Sequence, residues 1–553
     1  MRLTQRLANV IVSCAFLAAC GASDGAASNG AVSSGGPSSN GPGASGGGPG
    51  ATDASTPDTG DVPGRARWWA SEPSVTYKMF HLRAGIEWEH PGGDWTDAAG
   101  TPQGTTPFAS AEITDENGEK AVSWDVTALV KQWLAEEARP TAVVLAQRGG
   151  NVRFHSREVA GKEPRLILTR ADGSKVERLP SDDMTLDSST TKVLGAAETL
   201  GSRAIVQWKR EALFAGVTDV TSAMLSMIST VQTGKTDADV YQMKLPIPDV
   251  LPPLEQGLAA GYPSDMGIDR DPMVVFAEDF HGTVADVKSR WDGSSFNELV
   301  PCDLPGVPQC ARVTIKGKAD GGSGLGGTGG RKVFDSELEE AFMRYYVKFE
   351  SWDAIDGGKF PGLANFDSGD GAKYFAGGNG GTPVHGYDGW TLRGAFMLPP
   401  PSSGDPASGY QALRTYAYTA AMTGSYGDMW SWSQNRTDLH VLKYGTWHSV
   451  EQHVKVNTPG QRDGLFEVWM DGRKVLRKTD VYLRAAPSAT PRTYPNGKAV
   501  PEEQSYWVPG NMGITKLWAN LYHGGTTPTE KTLVAYWASF VVARSYIGPM
   551  KSP

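Results

Sequence analysis

The sequence is poor in cysteine, in long apolar runs and in clustered positive charge. It contains four cysteines among 553 residues, and its formal net charge is −9. No stretch beyond the N-terminus is apolar enough to span a bilayer. No basic run is typical of nucleic-acid binders, so nucleic acid is not an expected partner.

Several catalytic and metal-binding patterns are also missing. There is no Gly-x-Ser-x-Gly elbow, and no strand carries the Glu-x-Asp-x-x-Glu pattern of jelly-roll glucanases, which argues against hydrolysis. The glycine-rich segment 321–332 lacks the Gly-Lys-Ser/Thr ending of a phosphate loop, so it favours a flexible loop. We predict no cofactor or metal site, and a structural Ca²⁺ would have no ligand motif here.

The N-terminus has the features of an export signal. Arg2 and Arg6 precede an apolar stretch, so residues 1–19 read as a signal peptide. The stretch ends in Leu17-Ala18-Ala19-Cys20-Gly21, which resembles the bacterial lipobox. Cys20 would then carry a lipid anchor that holds the protein at the outer membrane or cell surface. The alternative is an ordinary secretory signal and a secreted protein.

The two remaining cysteines of the mature chain are Cys302 and Cys310. They flank a proline-rich loop, and an oxidising compartment would favour a disulfide between them. A two-cysteine metal site would need further cysteine or histidine ligands at close spacing, and none is present.

Composition and turn signals divide the chain into further units. Residues 20–62 form a Gly/Ser-rich tether, residues 63–250 a β-rich module, residues 251–272 a linker, and residues 273–550 a C-terminal domain. Strand patterns in the module lie at 75–82, 120–126, 142–146, 152–155 and 166–168, and short strands between turns predict a β-sandwich.

Motifs of the module resemble a DNRLRE-type carbohydrate-binding module. The matching residues are Ser123-Trp124-Asp125-Val126, Phe154-His155-Ser156-Arg157-Glu158 and Pro164-Arg165-Leu166. The segment that resembles the first half of that family comes later, so we infer a circular permutation. The alternative is a sandwich that only spaces other domains.

The C-terminal domain is predicted to be all-β. Strands are expected at 274–276, 312–316, 341–349, 391–398, 412–418, 448–456, 465–470 and 533–542, and Asp471-Gly472 marks a tight hairpin. Many antiparallel strands with little helix predict a jelly roll.

Alternation on two of these strands predicts a functional face. Trp390 and Leu392 would share an apolar face, and Thr391 and Arg393 would share the opposite one. On the other strand, Arg414, Tyr416 and Tyr418 lie on one face. If the two polar faces meet, they form a site that can hold an anionic sugar and move protons on it.

The C-terminal domain resembles polysaccharide lyase family 14 over most of residues 273–549. The matching motifs are Tyr345-Tyr346-Val347-Lys348-Phe349, Gly357-Gly358-Lys359-Phe360-Pro361-Gly362-Leu363, Gly389-Trp390-Thr391-Leu392-Arg393, Tyr416-Ala417-Tyr418, Gly445-Thr446-Trp447-His448, Glu467-Val468-Trp469-Met470-Asp471-Gly472 and Tyr522-His523-Gly524-Gly525. The resemblance implies a β-jelly roll that breaks uronic-acid polymers, of the alginate or glucuronan class, by β-elimination.

The resemblance also assigns roles to residues. The catalytic lysine falls on Lys359 and the essential arginine on Arg393, both acting on substrate charge, and the paired tyrosines fall on Tyr416 and Tyr418 as base and acid in either order. Five residues are expected to bind substrate: Thr391, Arg414, His453, His523 and Trp390. The insertion 398–409 between the arginine and tyrosine strands puts the identity of the substrate in doubt.

The sequence therefore predicts a monomeric, exported polysaccharide lyase whose partners are an acidic polysaccharide and, through Cys20, a membrane. Two alternatives remain open. One is a non-catalytic protein that binds an acidic polysaccharide, and the other is a glycoside hydrolase on a similar sandwich.

Overall fold

A computed structural model describes residues 79–81, 86–114, 119–186, 199–200, 203–247, 251–350, 357–365, 383–396, 410–493, 499, 512–525 and 528–551. The predicted signal peptide, the lipidation site Cys20, the tether and the insertion 398–409 lie outside these ranges. Within them, no helix has the length and apolar character needed to cross a membrane.

The described residues of the N-terminal part form twelve strands and two short helices. They are β1 (Met79–His81), β2 (Ile86–Glu87), β3 (Trp95–Thr96), β4 (Ala109–Ile113), β5 (Lys120–Asp125), α1 (Thr127–Ala135), β6 (Ala142–His155), β7 (Arg165–Thr169), β8 (Lys175–Arg178), β9 (Asp182–Thr185), β10 (Thr199–Leu200), β11 (Arg203–Gln207), α2 (Arg210–Leu213) and β12 (Ser222–Met243).

The long strand β12 organises this part. It follows β7 and precedes β6 in the strand order β8-β7-β12-β6-β11-β9, and β3, β4 and β5 also pair with it. The two predicted strands at 142–146 and 152–155 are one strand, β6, which pairs along most of β12 with two register shifts. A buried apolar cluster that includes Trp124, Trp133 and Phe154 forms the core of this part. The predicted sandwich architecture is thus present.

The linker is not extended. It forms the turns η1 (Leu258–Gly261), η2 (Pro263–Asp265) and η3 (Ile268–Arg270). Asp265 pairs with the fully buried guanidinium of Arg344. The backbone N–H groups of Ile547 and Gly548 both donate to Glu451 at 2.8 Å. These bonds hold the linker and the C-terminal segment against one sheet of the C-terminal domain.

In the C-terminal part, the residues that the structure describes form sixteen strands. They are β13 (Val274–Glu278), β14 (Gly293–Ser294), β15 (Leu299–Pro301), β16 (Gln309–Ile315), β17 (Gly326–Leu338), β18 (Glu340–Phe349), β19 (Gly358–Asn365), β20 (Trp390–Phe396), β21 (Tyr410–Tyr418), β22 (Asp428–Ser431), β23 (Val441–Lys443), β24 (Trp447–Lys455), β25 (Gly464–Met470), β26 (Arg473–Val481), β27 (Ile514–His523) and β28 (Leu533–Ala543). Helices α3 (Val284–Arg290) and η4 (Gln434–Arg436) complete the part.

Two antiparallel sheets form the C-terminal sandwich. The back sheet has the order β15-β16-β28-β18-β24-β25-β26, with β13 beside β28. The front sheet has the order β14-β17-β27-β19-β20-β21-β22, with β23 beside β21. Alternate residues of both sheets, such as Tyr345, Leu363, Leu392 and Val450, meet in one apolar core. The predicted all-β class and jelly-roll sandwich are confirmed.

The prediction of a flexible loop at 321–332 was wrong for its second half, which begins the ordered strand β17. Its glycines serve close packing instead. A Cβ on Gly330 would lie 2.8 Å from the Trp291 ring, and Gly329 has a φ of 139°. Only glycine allows the strand to approach the neighbouring rings at these positions.

A further apolar cluster joins the two parts of the chain. Ala412 on β21 and Val441 on β23 pack in one cluster with Trp88, Val144 and Tyr241 of the N-terminal sandwich. Strand β21 therefore begins at this cluster and ends in the C-terminal domain with Tyr416 and Tyr418.

Cys302 and Cys310 lie next to each other as thiols. Cys310 sits on β16 opposite Val300, and the backbone N–H of Cys302 donates to the Pro308 carbonyl at 3.1 Å. A hydrogen bond from Cys310 lowers the pKa of the Cys302 thiol. A disulfide between them would close this hairpin loop.

We expect the exported protein to contain the Cys302–Cys310 disulfide. Its intact mass should be lower by two hydrogen atoms than that of the reduced protein. Cys302→Ser should lower the free energy of unfolding by about 2–3 kcal/mol, because the bond restricts the unfolded chain. Full alkylation of both thiols in non-reduced, exported protein would contradict this prediction, and the same variant measured under reducing conditions is the control.

Candidate active site

The arginine and tyrosine strands are direct neighbours. In the register of β20 and β21, Thr391 faces Tyr418, Arg393 faces Tyr416 and Ala395 faces Arg414. Directly opposed residues of an antiparallel pair point to the same side of the sheet. The predicted polar faces therefore meet, on the side of the front sheet that points away from the core; we call this side the site face.

Lys359 reaches the site face because β19 is irregular. The register shifts between Lys359 and Gly362 on both sides of the strand. On a regular strand these two residues would face opposite sides, since they are an odd number apart. The bulge at Phe360 and Pro361 turns both to one side, and proline suits a bulge because it cannot donate a ladder hydrogen bond.

Ring contacts fix the position of the ammonium group. Nζ of Lys359 lies 5.1 Å from the centre of the Tyr416 ring and 4.7 Å from the centre of the Tyr522 ring. The structure thus brings Lys359, Arg393, Tyr416 and Tyr418 together on one surface.

Register extends the site face into three rows that cross the front sheet. The Thr391 row contains Val333, Lys516, Ala364, Thr391 and Tyr418; the Arg393 row contains Arg331, Trp518, Gly362, Arg393, Tyr416 and Met429; the Lys359 row contains Gly327, Tyr522, Lys359, Ala395, Arg414 and Ser431. Five of these residues are cationic and none is acidic. The three rows therefore form a surface suited to a polyanion.

Arg393 is a buried cation at the centre of the site face. Only 2% of its surface is exposed, and its guanidinium carbon lies 3.9 Å from the centre of the Trp518 ring. Gly362 stands between the two residues in the register, so the guanidinium can cross to the ring without meeting a side chain. Burial lowers the pKa of Arg393 to about 10, so it carries its charge at neutral pH.

The two tyrosines are coupled but not equivalent. Their hydroxyls are 3.1 Å apart, and their rings are perpendicular with centres 5.1 Å apart. Tyr418 is completely buried under Val384, while Tyr416 keeps 8% of its surface exposed. Burial, together with the neighbouring Tyr416, raises the pKa of Tyr418, so this phenol keeps its proton at neutral pH.

Thr391 and Arg414 are placed as the sequence predicts. Thr391 is fully buried, and its hydroxyl oxygen has no hydrogen-bond partner among the residues that the structure describes. Arg414 lies in the Lys359 row, with Ala395 between them, and burial lowers the pKa of Arg414.

Three predicted substrate-binding residues do not lie on the site face. Trp390 points into the core, where its indole N–H donates to the Met512 carbonyl at 3.0 Å. His453 lies on the back sheet between Glu340 and Glu467, at 2.8 and 3.0 Å. These two predictions were wrong because Trp390 follows the apolar alternation of β20 and His453 belongs to the other sheet.

His523 was also assigned to the wrong side of its strand. It is fully buried, and its Nδ1 lies 3.1 Å from the Gly357 carbonyl. Its neighbour Tyr522 occupies the site face instead. Alternation in Lys516-Leu517-Trp518-Ala519-Asn520-Leu521-Tyr522 is the signal that could have identified Lys516, Trp518 and Tyr522 from the sequence.

The candidate metal ligands lie elsewhere. Among the described residues, only Glu89, His90 and Asp94 of the N-terminal sandwich are close enough together to hold an ion. The Asp94 carboxylate already accepts hydrogen bonds from the backbone N–H groups of Glu89 and His90 at 2.8 and 2.9 Å. These local hydrogen bonds explain the position of the Asp94 carboxylate.

The chain is similar to known lyases. Residues 313–494 match the family model described as polysaccharide lyase 14. The marine PL-14 alginate lyase from Aplysia kurodai is 16% identical, with 49% of this chain and 99% of that chain covered and a TM-score of 0.33. The alginate lyase vAL-1 from Chlorella virus is 17% identical, with the same 49% and 99% covered and a TM-score of 0.34.

An endo-β-1,4-glucuronan lyase from the fungus Trichoderma reesei is 13% identical, with 50% of this chain and 100% of that chain covered and a TM-score of 0.27. A comparison with curated proteins finds no match. Residues 313–494 are therefore similar to polysaccharide lyase 14, which confirms the family resemblance and the enzyme class predicted from the sequence for this part of the chain.

Proposed function

We propose that this protein cleaves a uronic-acid-containing polysaccharide, of the alginate or glucuronan class, by β-elimination. The observation that carries the proposal is the site face itself. Five cations and the tyrosine pair lie in three adjoining rows that contain no carboxylate. Glycoside hydrolases commonly act with two carboxyl groups that flank the scissile bond, and these rows offer none.

Arg393 and Lys359 supply the charge that elimination requires. The proton on C5 of a uronate becomes acidic only when the adjacent carboxylate is neutralised, and a planar guanidinium fits a carboxylate. The contact of Arg393 with Trp518 fixes its plane before substrate arrives. Lys359, above the Tyr416 ring, stabilises the enolate-like charge that develops as the C5 proton leaves.

The tyrosine pair moves the protons. Tyr416 is the more exposed phenol and stands between Arg393 and the ammonium of Lys359, so it is the group that takes the C5 proton. Tyr416 acts as the base in its phenolate form. The C5–H electrons form the C4=C5 double bond, the C4–O4 bond breaks with its electron pair on O4, and O4 receives the proton that Tyr416 has just taken, which restores the phenolate. Tyr418 lies buried behind Tyr416, keeps its own proton and donates it in the 3.1 Å hydroxyl contact, which stabilises the phenolate of Tyr416. Atoms and charge balance without a further reagent.

We also propose where the enzyme acts. The lipobox-like sequence at Cys20 supports an anchored lipoprotein at the outer membrane or cell surface, and a plain secretory signal would give a secreted enzyme. The motifs in the N-terminal sandwich support carbohydrate binding by that part, which would keep the polymer near the site. A monomer suffices for this arrangement, because all residues of the proposed site come from one chain.

Replacing Tyr416 tests the proposal most directly. Elimination creates an unsaturated uronate that absorbs in the near ultraviolet, whereas hydrolysis creates reducing ends without this absorbance. We expect the wild type to form the absorbing product from alginate or glucuronan. Tyr416→Phe should lower kcat by about 10²–10⁴-fold, because proton transfer is lost.

The matched control is Tyr536→Phe on the back sheet, whose hydroxyl donates to Glu350 at 2.6 Å and which should keep wild-type activity. Tyr418→Phe should lower kcat less than Tyr416→Phe does, with little change in KM. If Tyr418→Phe were the more damaging change, the assignment of Tyr416 as the group in contact with substrate would be contradicted.

The buried charge of Arg393 should lower the free energy of unfolding, although the proposed reaction needs this charge. Its pKa in the folded protein is lowered to about 10, so the fold disfavours the charged form at every lower pH, and this cost disappears only as the pH rises above that value. Arg393→Met should therefore abolish turnover and yet raise the free energy of unfolding by about 1–3 kcal/mol at pH 7. Denaturant unfolding measures the change. Arg393→Lys, which keeps a buried charge, should bring no such gain, and a destabilised Arg393→Met would contradict the prediction.

A further inference from the structure

Lys516 is a cation on the site face that the family match does not reach. It lies on β27, beyond residue 494 where the match ends. The register places it beside Ala364 on one side and Val333 on the other, in the Thr391 row. Only 6% of its surface is exposed. Lysine is among the residues least often buried in proteins, which makes its place in this row notable.

Thr391 gives a second, independent sign of a ligand in the same row. Its hydroxyl oxygen is buried and has no hydrogen-bond partner among the described residues, in contrast to most buried polar side chains. A buried hydroxyl without a partner costs stability. A bound group that accepts a hydrogen bond from this hydroxyl would remove the cost.

Ala364 separates the two side chains, and its methyl group is the only side chain between them in the row. Lys516 pairs with Ala364 on one side, and Thr391 pairs with Ala364 on the other. Neighbouring strands are about 4.8 Å apart, so an acceptor above the Ala364 methyl is within reach of both the ammonium and the hydroxyl. A carboxylate fits this position because it can accept hydrogen bonds from both donors.

We propose that Lys516 and Thr391 form a second carboxylate-binding subsite, for the uronate next to the one that reacts. The inference rests on the proposed function. Thr391 and Arg393 are two residues apart on β20, which separates their rows by about 6.8 Å. A polymer that lies along the strands thus meets Lys516 first, then Arg393, then Lys359 with Arg414.

This order has a consequence for specificity. Both subsites are filled only when two consecutive sugars carry carboxylates. A polymer of adjacent uronates therefore binds more tightly than one in which neutral sugars alternate with uronates. The subsite selects for uninterrupted uronate blocks rather than for a single uronate.

Steady-state kinetics of Lys516→Gln test the subsite. The substrate is the uronate polymer that the wild type cleaves, at low salt. We expect KM to rise about 10–100-fold with kcat nearly unchanged, because a charge-assisted hydrogen bond is lost in both the ground state and the transition state. Lys516→Arg keeps the charge and should remain close to the wild type. The matched control is Lys455→Gln, which removes a lysine from the back sheet whose side chain is 56% exposed.

A double-mutant cycle with Thr391→Val tests whether the two residues share one ligand. If one carboxylate bridges them, the rise in KM for the double variant should be smaller than the product of the two single effects. Independent, multiplicative effects would show that the two residues do not share a ligand. An unchanged KM for Lys516→Gln would overturn the subsite altogether.

Binding without turnover separates failure of this inference from failure of the proposed function. In a Tyr416→Phe background, calorimetric titration with alginate or glucuronan should give weaker binding when Lys516→Gln is added. If the wild type forms no unsaturated product from any uronate polymer, the proposed function fails. If product forms but Lys516→Gln changes neither binding nor KM, only the subsite fails. Thr391→Val provides the same comparison if Lys516→Gln does not fold.

Discussion

The site depends on keeping the guanidinium of Arg393 charged while it is almost completely buried. The three rows contain no acidic side chain, and the guanidinium carbon lies 3.9 Å from the centre of the Trp518 ring. Two features of the sequence make this arrangement feasible. Gly362 places no side chain between Arg393 and Trp518 in their row, and the surrounding strands are fixed by a large apolar core on the opposite side of the sheet.

Strand alternation explains much of what could be predicted from the sequence. The faces of β20 and β21 follow directly from their side-chain pattern, whereas the pairing that brings Arg393 beside Tyr416 and Tyr418 is seen in the structure. The position of Lys359 could not be derived in that way. It depends on a bulge that reverses the alternation of β19, and only the family resemblance indicated that this lysine belongs to the site.

The incorrect predictions have physical causes of the same kind. His453 was predicted to bind substrate from its position on a polar strand face. The sheet that its strand joins is decided by long-range pairing, which local sequence patterns do not reveal. The segment 321–332 looks like a loop by composition. It becomes a strand from Gly326 onwards because its glycines let the backbone approach Trp291 and Phe296, an interaction between residues far apart in sequence. Lys516 and Tyr522 belong to a strand near the C-terminus, whose neighbours β17 and β19 are equally remote.

The apolar cluster at the start of β21 makes the two sandwiches depend on each other for solubility. Ala412 and Val441 are covered by Trp88, Val144 and Tyr241. Cutting the chain at the linker would expose an apolar surface on both fragments. On the C-terminal fragment, this surface lies at the start of the strand that carries Tyr416 and Tyr418. Each fragment would then be prone to aggregate. The two sandwiches are therefore better regarded as one structural unit than as two separable domains.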